Sequence, residues 1–193
     1  MMKLVKIFLW LLVIPFSSLF AQDIDFYRED ISFELVDGYF KVNGKYYFRN
    51  PTEDIINSGL IYPFPIDSCY GAVDSVLAFD MIRNKDNLKQ TTNKAAVIGL
   101  YLEPFDTTVI NISYRQELKN NKAEYILTTT QSWGKEFEVA NYELMCDSCL
   151  EIEFISYYPD TILTLNNKHI YYWSREKFMP DKDFTIFFRK KGE

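Results

Sequence analysis

"DISFELVDGYFKVNGKYYFRN", residues 30–50, reads as two strands and the turn between them. Ile31, Phe33 and Leu35 alternate with Ser32 and Glu34, the period of two that sends successive side chains to opposite faces of a strand. Asp37-Gly38 follows, and both residue types tolerate the positive φ that a tight hairpin demands. The return strand alternates again, with Phe40, Val42, Tyr46 and Phe48 on one face and Lys41, Asn43, Lys45 and Arg49 on the other. Gly44 interrupts the apolar set and marks either a bulge or a close approach to the backbone. A helix would need an apolar period near 3.6, and no segment outside the N-terminus shows one.

The same grammar runs through the rest of the chain. "NPTED", 50–54, ends the second strand, because Pro51 has no N–H to donate and Asn50 and Thr52 cap turns with their side chains. In "GLIYPFPIDS", 59–68, Leu60, Tyr62 and Phe64 share a face, while Pro63 and Pro65 assign the strand to a sheet edge. "AVDSVLAFDMI", 72–82, sets Leu77, Phe79 and Met81 against Val76, Ala78 and Asp80. The polar stretch "RNKDNLKQTTNK", 83–94, is the clearest long loop, and a subdivision of the domain would fall there. Ile110, Ile112 and Tyr114 form the inner face of "TTVINISYRQEL", 107–118. Gly134 marks a turn in "QSWGKE", and "SREKFM", 174–179, has the length of one helical turn. In all, about ten to twelve short strands with turn signals between them predict an all-β fold, a two-sheet β-sandwich, immunoglobulin-like or related, over residues 22–193.

The chain opens "MMKLVKIFLWLLVIPFSSLFAQ". Lys3 and Lys6 precede an apolar run from Ile7 to Phe16, and Ser17, Ser18 and Ala21 follow, the layout of a secretory signal peptide over residues 1–21 with its cut after Ala21. The apolar run is short of the ~20 residues a spanning helix needs, which favours cleavage over the alternative of a retained membrane anchor, and no second such run follows, so the mature chain is expected to have no membrane span. Cleavage would remove Lys3 and Lys6 and take the formal charge from −6 to −8. An acidic protein repels phosphate backbones, which excludes nucleic acid as a partner. Aromatic residues make up 17% of the sequence, enough to build a core without disulfides.

Residues 29–65, with "YYFRN" followed by Thr52 and acids and a strand ending in "FP", together with "YILTTTQSWGKEFEVANYEL", 125–144, resemble exported bacterial β-domains of unknown function. The layout is distantly similar to VIT-type β-domains, and "SLFAQ" resembles the export signals of Bacteroidetes-type bacteria. The resemblance implies an extracytoplasmic β-sandwich and carries no catalytic residues with it.

Chemistry-bearing constellations are sparse. His169 is the sole histidine, so any Ser-His-Asp or Cys-His arrangement has one candidate base, and no motif surrounds a nucleophile. Glu136/Glu138 and Glu151/Glu153 fall two apart on strands and read as solvated faces, and Asp181 and Asp183 lack the further oxygens and glycine of a calcium loop. No metal site, cofactor or catalytic residue is assigned. Cys146 and Cys149 form a C-x-x-C between two strand patterns, with Asp147 and Glu151 beside them. A redox centre of the thioredoxin type wants a helix N-terminus and a lowered thiol pKa, whereas strands and acids do the reverse. A Cys146–Cys149 disulfide pinning the turn is therefore expected in an oxidising compartment, with Cys69 as an alternative partner. The aromatic doublets place one ring inside and one outside, which makes Tyr47, Tyr157, Tyr172, Trp173 and turn-adjacent Trp133 candidate binding aromatics.

The functional expectation is a non-catalytic module in the periplasm or outside the cell, contacting an envelope protein or a glycan. A thiol-disulfide protein using Cys146 and Cys149 is the alternative, and a carbohydrate-binding or carbohydrate-cleaving module is the weaker one.

Overall fold

The computed structural model describes residues 24–192; the signal-peptide segment and its cut at Ala21 lie outside them. Fourteen strands and one short helix follow in order. The strands are β1 Asp25–Val36, β2 Tyr39–Arg49, β3 Ile56–Pro63, β4 Tyr70–Asp80, β5 Lys85–Asp86, β6 Leu88–Thr91, β7 Ala95–Leu102, β8 Thr107–Leu118, β9 Lys122–Tyr125, then β10 Phe137–Asp147, β11 Leu150–Ile155, β12 Thr161–Leu165, β13 Lys168–Phe178 and β14 Phe184–Lys190. A 3₁₀ turn, Thr128–Trp133, sits between β9 and β10.

The fold is all-β and layered as a sandwich, with more strands than expected and a divided second layer. One layer is an eight-stranded sheet in the order β12-β13-β10-β1-β2-β8-β4-β5. Facing it are two three-stranded sheets, β3-β7-β6 and β11-β14-β9. All pairings are antiparallel except that of β1 with β10. The residues 30–50 hairpin forms as read: Val36 pairs with Tyr39, and Asp37 and Gly38 take φ of 51° and 76°. Phe33, Leu35, Phe40, Val42 and Phe48 are fully buried, while Lys41, Asn43 and Lys45 face solvent. Gly44 is a close approach, not a bulge. A Cβ there would collide with the ring of Tyr46, which folds back over the glycine along its own strand. Strand β3 is a sheet edge, as its prolines require.

The structure sets the inner face of β4, which the alternation left open, and corrects two local expectations. On β4 the inner set is Ala78 and Asp80, whereas Leu77 is 64% and Phe79 40% exposed. Irregular pairing between Asp74 and Leu77, with Ser75 at φ 55°, adds a residue and reverses the parity of the strand beyond it. Asp80 tolerates burial because its carboxylate accepts the backbone N–H groups of Ile82 and Arg83 and pairs with the Arg83 guanidinium. Residues 83–94 are not a loop but carry β5 and β6. Buried Asn87 lies between them, donating its N–H to Ala78 at 2.8 Å and accepting that of Gly99 at 2.8 Å, so this stretch links the large sheet to a small one. "SREKFM" is strand for most of its length, the end of β13, held by pairing with β10.

Candidate functional site

Period-two alternation runs backwards from Leu35, Phe33 and Ile31 to Glu29, which places a carboxyl on the inner face of β1. Phe26 faces inward too, three residues away. A bulge makes both possible: Phe26 pairs with Phe48 and Arg28 with Tyr47, leaving Tyr27 as the extra residue. Glu29 thus lies opposite Tyr46 of β2 on one side and Ala140 of β10 on the other, 1% exposed.

Above this point the second layer has its seam. Strand β3 of one small sheet and β9 of the other are both edge strands, and no ladder joins them. Three tyrosines meet there, one from each sheet. The Tyr46 hydroxyl hydrogen-bonds that of Tyr62 at 2.8 Å and that of Tyr125 at 3.0 Å. The chain leaving β9 enters the 3₁₀ turn, whose start is held by one oxygen of Asp183. That oxygen accepts the N–H of Leu127, the N–H of Thr128 and the Thr128 hydroxyl at 2.8–3.0 Å. Gln131 ties the turn to the carbonyl of Pro180 at 2.8 Å, and Gly134 ends it in the left-handed conformation at φ 69°. Trp133 is thereby set against Phe26 and Phe48, with ring centroids 5.7 and 5.9 Å away.

The result is a cleft of about 520 Å³ between β3 and the 3₁₀ turn, a volume in the range of small-molecule sites. Ile61, Thr129 and Ser132 form its exposed mouth; Phe26, Tyr46, Tyr62 and Tyr125 line the interior, with Glu29 at the floor. Tyr142 donates to Glu29 Oε1 at 2.5 Å and is its one hydrogen-bond donor among the described residues. Burial pushes the Glu29 pKa up to about 8; the Tyr142 bond pulls it back, and the neighbouring Asp30 charge raises it. The phenols of Tyr46, Tyr62, Tyr125 and Tyr142 are held well above their usual range, by burial first, with Glu29 adding to each. At neutral pH the cleft is therefore an uncharged aromatic lining over a protonated carboxyl, and a titratable group perturbed by burial in a cleft is a candidate for a functional site.

Of the five candidate aromatics, Trp133 alone lines this cleft. Tyr47 lies on the opposite face of the large sheet, its hydroxyl donating to Asp30 at 2.8 Å and its ring under the Arg28 guanidinium. Trp173 is buried, its indole N–H donating to the Tyr157 carbonyl at 2.9 Å. Tyr157 is half-buried, bonded to Asp181 and Lys182, and the exposed member of that doublet is Tyr158 at 87%. Tyr172 is half-buried over an outer groove with Asp160 and Ser174. These rings form no exposed row. Sequence reasoning missed Glu29 and the tyrosine triad; the parity of Ile31-Phe33-Leu35 already pointed to Glu29.

The expected Cys146–Cys149 bridge is not formed: all three cysteines are free, Cys146 buried and Cys149 exposed. The strands explain this. Cys146 is an inward position of β10, and the chain turns at Asp147–Cys149, where the Asp147 carboxylate accepts the Cys149 N–H at 3.0 Å and holds the turn without a covalent staple. Strand, not helix, follows the pair. Burial pushes the Cys146 thiol up to about 11, and the Asp147 carboxylate raises that of Cys149. Cys146 lies directly opposite His169 on β13, yet His169 Nδ1 hydrogen-bonds the Thr164 hydroxyl at 2.9 Å, and no hydrogen bond joins thiol and imidazole. Neither thiol has the depressed pKa of a redox centre. Native-state alkylation with iodoacetamide is expected to mark Cys149 and spare Cys146 until the protein is unfolded, read by peptide mass mapping. A disulfide-linked 146–149 peptide from the unreduced protein would overturn this assignment. Of the other acids singled out from the sequence, Glu151 and Glu153 pair with Arg189 and Glu138 with Arg49 at the surface, whereas half-buried Asp183 holds the start of the 3₁₀ turn.

A second cleft, of about 420 Å³, lies at the hairpin end between Asp37, Lys119, Cys149 and Lys190, and contains no comparably buried acid. No helix among the described residues is long and apolar enough to cross a membrane.

No family model matches the sequence, and no curated protein does. Among solved structures the fold is similar to that of a protein from Legionella pneumophila described as a "putative nutrient binding protein", with a TM-score of 0.70, 13% identity, and 86% of this chain and 67% of that one covered. It is also similar to part of an M1 zinc metallopeptidase, an E323A mutant from Deinococcus radiodurans, with a TM-score of 0.52 and 8% identity over 86% of this chain. The chain spans 42% of that metallopeptidase's length. At these identities the likeness is one of fold, and it extends the all-β sandwich to proteins with quite different descriptions.

Proposed function

We propose that this chain is a non-catalytic binding module exported to the cell envelope, and that the seam cleft is its ligand site. One observation carries the reading. The second layer of the sandwich opens where its two small sheets meet, and the opening leads to a buried carboxyl ringed by phenols. A scaffold alone gains nothing from an acid at that depth, since an apolar residue would cost less to bury. The fold shared with a protein described as nutrient binding supports a binding role, and the basic, apolar and small-residue order of residues 1–21 supports export.

The test is a screen of small aromatic and aliphatic fragments by saturation-transfer NMR, repeated on Thr129→Trp. Thr129 is exposed at the mouth of the cleft, so the new ring narrows the entrance while leaving the core intact. Fragments that bind the native chain are expected to lose most of their signal in the variant. Failure of every fragment to bind, or equal binding to both proteins, would overturn the assignment.

A further inference from the structure

Among the described residues Glu29 has no counter-ion. The titratable groups that act on it are its neighbour Asp30 on β1 and the phenols of Tyr142 on β10, Tyr46 on β2, Tyr62 on β3 and Tyr125 on β9; none is basic, and Arg175 on β13, opposite Ala140, is paired with Asp160 at 2.7 Å. The nearest arginine along β1, Arg28, is committed to Asp30 on the opposite face at 2.8 Å. The polar side-chain atoms of Glu29 and of these tyrosines are all oxygens, and the walls are aromatic rings whose faces carry negative potential. Such a site disfavours an anion. It suits a cation with an apolar body, and the acidic chain as a whole draws cations toward it.

Resting on the binding-cleft reading above, we propose that the cleft takes a primary ammonium ligand whose cation replaces the Glu29 proton, its apolar part lying among Phe26, Tyr46 and Trp133. The exchange is balanced: the O–H bond of the Glu29 carboxyl breaks, its proton leaves to solvent, and the carboxylate so formed pairs with the incoming R–NH₃⁺. No covalent bond to the ligand forms. Because Glu29 is protonated in the free protein at neutral pH, each binding event carries a proton out. Tyr142, which donates to Oε1, strengthens its bond as the acceptor becomes charged.

The experiment is isothermal titration calorimetry at pH 7 with benzylammonium and with benzyl alcohol, its uncharged analogue of similar size. It is run in two buffers of different ionisation enthalpy, on the native chain, Glu29→Gln and Thr129→Trp. The native chain is expected to prefer benzylammonium by ~10-fold or more and to release about one proton per amine bound. Glu29→Gln is expected to lose both the preference and the proton release while still binding benzyl alcohol, which also reports that its cleft is intact. Equal affinity for the two probes, both lost in Thr129→Trp, would overturn the ammonium assignment and leave the binding cleft standing. Binding of neither probe would count against both readings. Benzylammonium binding that survives Glu29→Gln unchanged would overturn the ammonium assignment directly.

Discussion

Between pH 5 and pH 9 the native chain is expected to lose ~4 kcal/mol of stability relative to Glu29→Gln. The sign comes from proton counting. In the unfolded chain Glu29 titrates near the ordinary value of 4.5, whereas in the fold burial holds it at about 8. Between those values the folded state binds the proton and the unfolded state does not, so stability falls as pH rises and the penalty levels off above pH 8. A shift of this size at 1.36 kcal/mol per unit corresponds to roughly 5 kcal/mol in full, most of it crossed within the experimental window. Glutamine keeps an oxygen for the Tyr142 hydroxyl and removes the ionisation. Paired urea unfolding curves at pH 5 and pH 9 measure the difference, in which groups common to both proteins cancel. Parallel pH dependence of the two proteins would mean that Glu29 ionises freely and that the floor of the cleft is wet.

Phe33→Ala should destabilise the fold by roughly 3–5 kcal/mol, a large share of the stability of a domain this size. Phe33 is 1% exposed at the centre of β1, and its ring lies against four others: Phe184 at 4.8 Å, Tyr125 at 5.3 Å, Phe40 at 5.4 Å and Tyr142 at 6.3 Å. These belong to β14, β9, β2 and β10, so the side chain joins the large sheet to one of the small ones. Truncation leaves a void that cannot close, because the rings around it are fixed by their own strands. Leu77→Ala is the contrast. This leucine is exposed in the fold, and its loss should cost no more than about 0.5 kcal/mol. Urea midpoints for the two variants decide the matter; a cost above ~2 kcal/mol for Leu77→Ala would put the opposite face of β4 inside.

The site was legible only in part, and the strands show why. Glu29 sits on the inward parity of Ile31, Phe33 and Leu35, so its burial was legible in residues already assigned to the core. Its partners were not. Tyr46, Tyr62 and Tyr125 come from three sheets, and a sequence separation of 79 between Tyr46 and Tyr125 leaves no local signal that they meet. Trp133 was recognised as a turn-adjacent tryptophan, yet which side of the sandwich it closes depends on Asp183, 55 residues on from Thr128. The cysteine pair misled for a related reason. Proximity in sequence suggested a bridge, but β10 directs Cys146 into the core while the turn after it exposes Cys149.

By itself the amino-acid order determined the secondary structure class, the hairpin at Asp37-Gly38 and the edge position of β3. These rest on period-two alternation, on the φ range a dipeptide tolerates and on the missing N–H of proline, all of which act within a few residues. The tertiary structure alone decided which face of β4 is inside, that β1 pairs in parallel with β10, and that the second layer divides above Glu29. Alternation states which side chains share a face, and it cannot say which face is core once a bulge shifts the count or both sets contain apolar residues. Pairing between distant strands is settled by the burial of the whole apolar surface at once, and the cleft exists because two small sheets, each satisfied by its own ladder, leave their edges unjoined.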